Sequence, residues 1–76
     1  IGASMRRTNL AGANLQGADL TRVDFTEADL EAANLRGADL SGADFTRADL
    51  GDAHLEGGKL AEARLQTARN YRAPGA

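Results

Sequence analysis

Cysteine and tryptophan are absent, proline and histidine occur once each, and only three residues of 76 are aromatic. Without Cys there is no disulfide scaffold and no thiolate metal site. The single His54 excludes any site that needs two. So few rings leave little for base stacking, and no apolar run approaches the ~20 residues that cross a bilayer. Direct nucleic-acid binding and membrane insertion are therefore not expected. The net charge of −2 agrees, since a dedicated nucleic-acid binder is normally basic. No secretory or transit pattern is present, so a soluble protein is expected, cytoplasmic by default, with no compartment specified. The chain opens with Ile1 rather than Met, as expected of a fragment or processed product, and it has room for one small domain.

What is present is repetition. Cut in fives from Ala3, the chain reads ASMRR, TNLAG, ANLQG, ADLTR, VDFTE, ADLEA and onward for fourteen blocks to Arg72. The third place holds Met5, Leu10, Leu15, Leu20, Phe25, Leu30, Leu35, Leu40, Phe45, Leu50, Leu55, Leu60 and Leu65, and the pattern breaks at Asn70. The first place is nearly always Ala, with Thr8, Val23 and Gly58 as variants. On an α-helix, steps of five turn each Leu by about 140°, so no apolar stripe forms. On one continuous strand an odd step puts successive Leu residues on opposite faces. Within a block, however, Ala and Leu lie two apart, so a three-residue extended piece such as Ala38-Asp39-Leu40 points both inward and its Asp outward. Gly12, Gly17, Gly37, Gly42 and Gly57 at the fifth place then allow a corner with positive φ. Each block reads as one short side and one corner of a coil whose core is the third-place set.

The number of sides follows from what stacks. A lag of twenty pairs Phe25 with Phe45, aligns Arg7, Glu27 and Arg47 with alternating charge, and sets Arg36 beside Glu56. A lag of fifteen pairs Arg7 with Arg22 and separates the Phe residues. Opposite charges across neighbouring strands stabilise by a few tenths of a kcal/mol and aromatic pairs by up to about 1 kcal/mol, so four sides per coil are expected.

The tandem A(D/N)LxG run, from Ala3 to about Arg69, resembles the pentapeptide-repeat family. The resemblance implies an all-β fold, a right-handed quadrilateral β-helix, here of about three and a half coils. The expected organisation is a lead-in at 1–2, the β-helix at 3–69 and a C-terminal cap or tail at 70–76. Departures from the motif cluster late, where the second place becomes His54, Lys59, Arg64 and Arg69.

The second place points outward, and it supplies the candidate surfaces. Asp19, Asp24, Asp29, Asp39, Asp44 and Asp49 form an acidic row, and residues 23–52 carry a charge of −6. Lys59, Arg64 and Arg69 form a cationic end. Some members of the family mimic B-form DNA and bind DNA gyrase, and the acidic row resembles theirs. The simpler reading is local: Asp and Asn beside a corner accept hydrogen bonds from turn amides. Length favours it too, since a stack ~17 Å long at ~4.8 Å per coil imitates only about five base pairs. Stacked Asp24 and Asp44 lack the nonapeptide pattern of calcium-binding β-rolls. The Thr/Ser pairs at the fourth place do not form a flat array suited to ice. No nucleophile–base pair, phosphate-cradling loop or metal constellation is present, so no catalytic, metal or cofactor residue is expected and no cofactor is required.

The ends complete the reading. Asn70, Tyr71 and Ala73-Pro74 suit a minimal cap, with Tyr71 laid over the last coil and Pro74 unable to extend a ladder. Nothing comparable precedes Met5, so the N-terminal end is expected to self-associate or meet another protein. The function expected is a non-catalytic structural or protein-interaction module, and the alternative is a DNA mimic with a topoisomerase as its partner.

Overall fold

The computed structural model describes residues 2–72; Ile1 and the Ala73–Pro74 part of the expected cap lie outside the described residues. Parallel β-bridges join residues twenty apart without exception, from Ser4 with Asp24 to Asp49 with Arg69. They sort the second-place residues into four sides. The first runs Ser4–Asp24–Asp44–Arg64, the second Asn9–Asp29–Asp49–Arg69, the third Asn14–Asn34–His54, and the fourth Asp19–Asp39–Lys59. Each side is a single bridge residue flanked by corners, so pairing replaces strand length as the source of order.

The backbone bonds follow one rule. A third-place amide donates to the second-place carbonyl of the next coil, as Leu35 N–H does to His54 O at 2.8 Å. A second-place amide donates back to the first-place carbonyl of the previous coil, as Asp39 N–H does to Ala18 O at 2.9 Å. Corners close through the next first-place amide, for example Ala38 N–H to Leu35 O at 3.1 Å. Every buried side-chain polar atom among the described residues has a partner, as a low-dielectric interior requires.

The third-place and first-place residues fill the coil. Phe25, Leu30, Leu35, Leu40 and Phe45 have no exposed surface, and Val23 and the first-place Ala28, Ala33, Ala38, Ala43 and Ala48 are likewise buried. Leu20, Leu50 and Leu55 are buried, whereas Met5, Leu10, Leu15, Leu60 and Leu65 are half-buried at the two ends. The half-buried leucines at both ends reduce the contrast expected between an open N-terminal and a closed C-terminal end. The two Phe rings stack with centroids 5.1 Å apart and planes 9° from parallel. Each fully buried Leu or Phe stabilises by about 1.5–3 kcal/mol. No helix of the described residues is long and apolar enough to cross a membrane.

The corners hold a departure from the expectation that glycine supplies positive φ. Gly12, Gly17, Gly37, Gly42 and Gly57 do adopt it, but so do Arg7, Arg22, Glu27, Ala32, Arg47, Asp52 and Glu62 at the same place. The uninterrupted ladder imposes the left-handed conformation, and the non-Gly residues carry its steric cost.

Candidate interaction surface

Asn and Asp of the regular coils face outward and act on their own corners. The Oδ1 atom accepts the backbone N–H two residues on at Asn9, Asn14, Asp19, Asp24, Asp29, Asn34, Asp39, Asp44 and Asp49, over 2.9–3.2 Å. Thr21, Thr26, Ser41 and Thr46 also donate their hydroxyls to the same oxygen. These donors stabilise the ionised form. The hydroxyl of Thr21, Thr26 or Ser41, then the amide of the same residue, holds Asp19, Asp24 and Asp39 below the ordinary carboxylate range. For Asp49 the leading cause is the Asn70 side-chain amide, followed by the Gly51 amide. The local reading of the acidic row thus has a bond at every regular position, and it leaves Oδ2 as the outward oxygen.

The acids do not form a closed belt. They occupy the first, second and fourth sides, while the third presents Asn14, Asn34 and His54. Asn34 Nδ2 lies 3.4 Å from both Asn14 Oδ1 and Gln16 Oε1. On the first side, Arg6 approaches Asp24 at 3.8 Å and Arg64 approaches Asp44 at 3.9 Å. Arg64 of the cationic end therefore shares its charge with the acidic row. Lys59 and Arg69 stand exposed beneath Asp39 and Asp49, and each lowers the pKa of the Asp above it.

The charge ladder at the first corner is present: Glu27 lies 3.3 Å from Arg7 Nε and 3.7 Å from Arg47 Nε. The second ladder differs. Glu56 sits 3.8 Å from His54 Nδ1, and Arg36 acts on it only at longer range. The Glu56 carboxyl is lowered chiefly by its own backbone amide. His54 is about half exposed, at 46%. Among the described residues no three His, Asp or Glu side chains converge as a metal site would require. Tyr71 is half-buried and packs against the core, beside Leu50 and Ala53 in a shallow recess.

A parallel solenoid with a twenty-residue coil, Ala and Leu inside and an Asx-capped corner at each regular repeat defines the class of protein. The family model for pentapeptide repeats matches residues 1–26 and 24–60, and the chain belongs to the pentapeptide-repeat family, whose fold is the right-handed quadrilateral β-helix. It is similar to HetL of the cyanobacterium Nostoc sp. strain PCC 7120, a pentapeptide-repeat protein involved in heterocyst differentiation regulation. That likeness has a TM-score of 0.87 and 32% identity over 95% of this chain and 34% of HetL. Rfr23 of Cyanothece 51142 matches with a TM-score of 0.80 and 35% identity over 82% of this chain and 42% of that one. The alr5209 protein of Nostoc PCC 7120 matches with a TM-score of 0.55 and 38% identity over 96% of this chain and 64% of its own length. The chain thus spans less than two thirds of each of these structures. No curated protein sequence matches it significantly.

Proposed function

We propose that the chain is a non-catalytic structural and protein-interaction module, a stack of about three and a half coils that holds surface side chains at fixed spacing. The observation that carries this reading is the bond from each regular Asn or Asp to its own corner. Such bonds set the outward rows rigidly one coil apart, and they give the acids a role that needs no ligand. The partner is a protein met at an end of the coil, where Met5, Leu10 and Leu15, or Leu60 and Leu65, are half-buried. Apolar surface of this kind is stabilised by being covered. DNA mimicry toward a topoisomerase is the weaker reading, because the third side interrupts the acids and two of them already face arginines.

The test is an affinity capture with folded variants. Loss of the captured protein on Leu10→Gln or Leu60→Gln, with retention on Asp29→Asn/Asp49→Asn, supports the module reading. Capture of gyrase that depends on the Asp residues and ignores the leucines overturns it.

A further inference from the structure

The regular bonding of the corners ends at Arg47. From Arg7 to Gly42, each fifth-place amide donates to the fourth-place carbonyl of the coil below. Arg47 does not: its amide donates to the Thr67 hydroxyl at 3.3 Å. The cause lies in the sequence. Thr67 occupies a fifth place and is β-branched, and it does not take the positive φ found at the twelve fifth places before it. The Arg47 amide accordingly makes no bond to the Gln66 carbonyl, the partner that the regular pattern would supply. Arg69 then reaches back and donates its Nε to the Arg47 carbonyl at 3.3 Å.

Beside this corner lies a groove of about 450 Å³ lined by Arg7, Glu27, Arg47 and Arg69. Glu27 meets Arg7 and Arg47 through their Nε atoms. Among the described residues, no terminal Nη group of the three arginines makes a hydrogen bond. Three guanidinium groups and one carboxylate leave two positive charges, with donors in the planar fork that suits oxyanions. A single carboxylate would leave half of that charge unmatched, whereas a phosphate group carries about −1.5 to −2 at neutral pH.

We infer that this groove is a binding site for a phosphate group, held by Arg47 and Arg69 across the irregular corner and by Arg7 from above. The site is independent of the protein-interaction reading. The experiment is a titration of the whole chain with inorganic phosphate in low-salt buffer, followed by the Arg Nε–Hε signals in NMR. Acetate serves as the comparison anion. Saturable shifts are expected at Arg47 and Arg69, with binding at least about tenfold tighter for phosphate than for acetate. Arg47→Gln and Arg69→Gln each weaken it by about tenfold or more, while Arg36→Gln leaves it unchanged. All three residues are exposed, so unchanged melting temperatures verify that folding is kept. Phenyl phosphate separates the sources: equal affinity supports free phosphate as the ligand, and tighter binding supports a phosphate monoester. Equal responses to acetate and phosphate, no saturation, or equal weakening by Arg36→Gln would overturn the assignment.

Discussion

At Ala32 the backbone adopts a φ of 59°, a conformation that glycine enters without steric cost. Ala32→Gly should therefore stabilise the protein by about 1 kcal/mol, the relief of strain exceeding the entropy lost. The converse change, Gly37→Ala, should destabilise it similarly, because an added Cβ meets nothing within 4 Å and only the φ of 67° is penalised. In thermal melts the pair should move apart, each by about 4–8 °C from the parent. Melting temperatures that shift in the same direction would remove the conformational explanation. The carboxylates give a second residue-scale expectation. Asp19, Asp24, Asp39 and Asp49 have folded pKa values below the unfolded ones, so the unfolded chain binds more protons in acid. Their contribution is complete above the unfolded value, near pH 4, and is lost as pH falls through the lower folded values. Thermal melts from pH 6 to 2 should show a decline confined to the acid end, shallower in Asp24→Asn/Asp49→Asn. The acids' inward task was legible in the sequence, since Asp and Asn recur beside every regular corner. The left-handed arginines and acids were not, because a cost of about 1–2 kcal/mol per residue is borne by the ladder without a mark in composition.

At the scale of one side and its corner, the twenty-residue period is what each element depends on. Deleting one block, Ala33 to Gly37, shifts every later side by a quarter of a coil. It separates Phe25 from Phe45 and Glu27 from Arg47. Deleting four blocks, Ala28 to Arg47, removes one coil and restores register on every side. The shorter deletion is expected to melt lower despite losing less buried surface, and the reverse order would contradict the pairing. The period was readable because Phe25 and Phe45 are the only two Phe residues and Arg7, Glu27 and Arg47 alternate in charge at the same spacing. The structure bears this out in the 5.1 Å ring stack and the Glu27 contacts at 3.3 and 3.7 Å. The Arg36–Glu56 ladder is present only as a longer-range attraction, while His54, two residues from Glu56, stands 3.8 Å from its carboxylate. The irregular corner was marked by Thr67, a β-branched residue at a place held in the twelve preceding blocks by residues with positive φ. Its effect on Arg47 and Arg69 needed coordinates.

For the whole molecule, stability rests on one narrow column of apolar side chains with no exposed surface from Phe25 to Phe45. Leu35→Asp places an unpaired carboxylate inside it, at a cost of several kcal/mol, comparable to the full stability of a small domain. Circular dichroism should show an unfolded chain, and a spectrum and melt like the parent's would place Leu35 outside the core. The column itself depends on the claim that each coil is closed by the residue nineteen positions on. NMR couplings across hydrogen bonds test that claim most directly in a chain of 76 residues. The amides of Leu30, Leu35 and Leu40 should couple to the carbonyls of Asp49, His54 and Lys59, respectively. Couplings from Leu35 to Asp49 instead of His54, the partner required by a three-sided coil, would contradict the account.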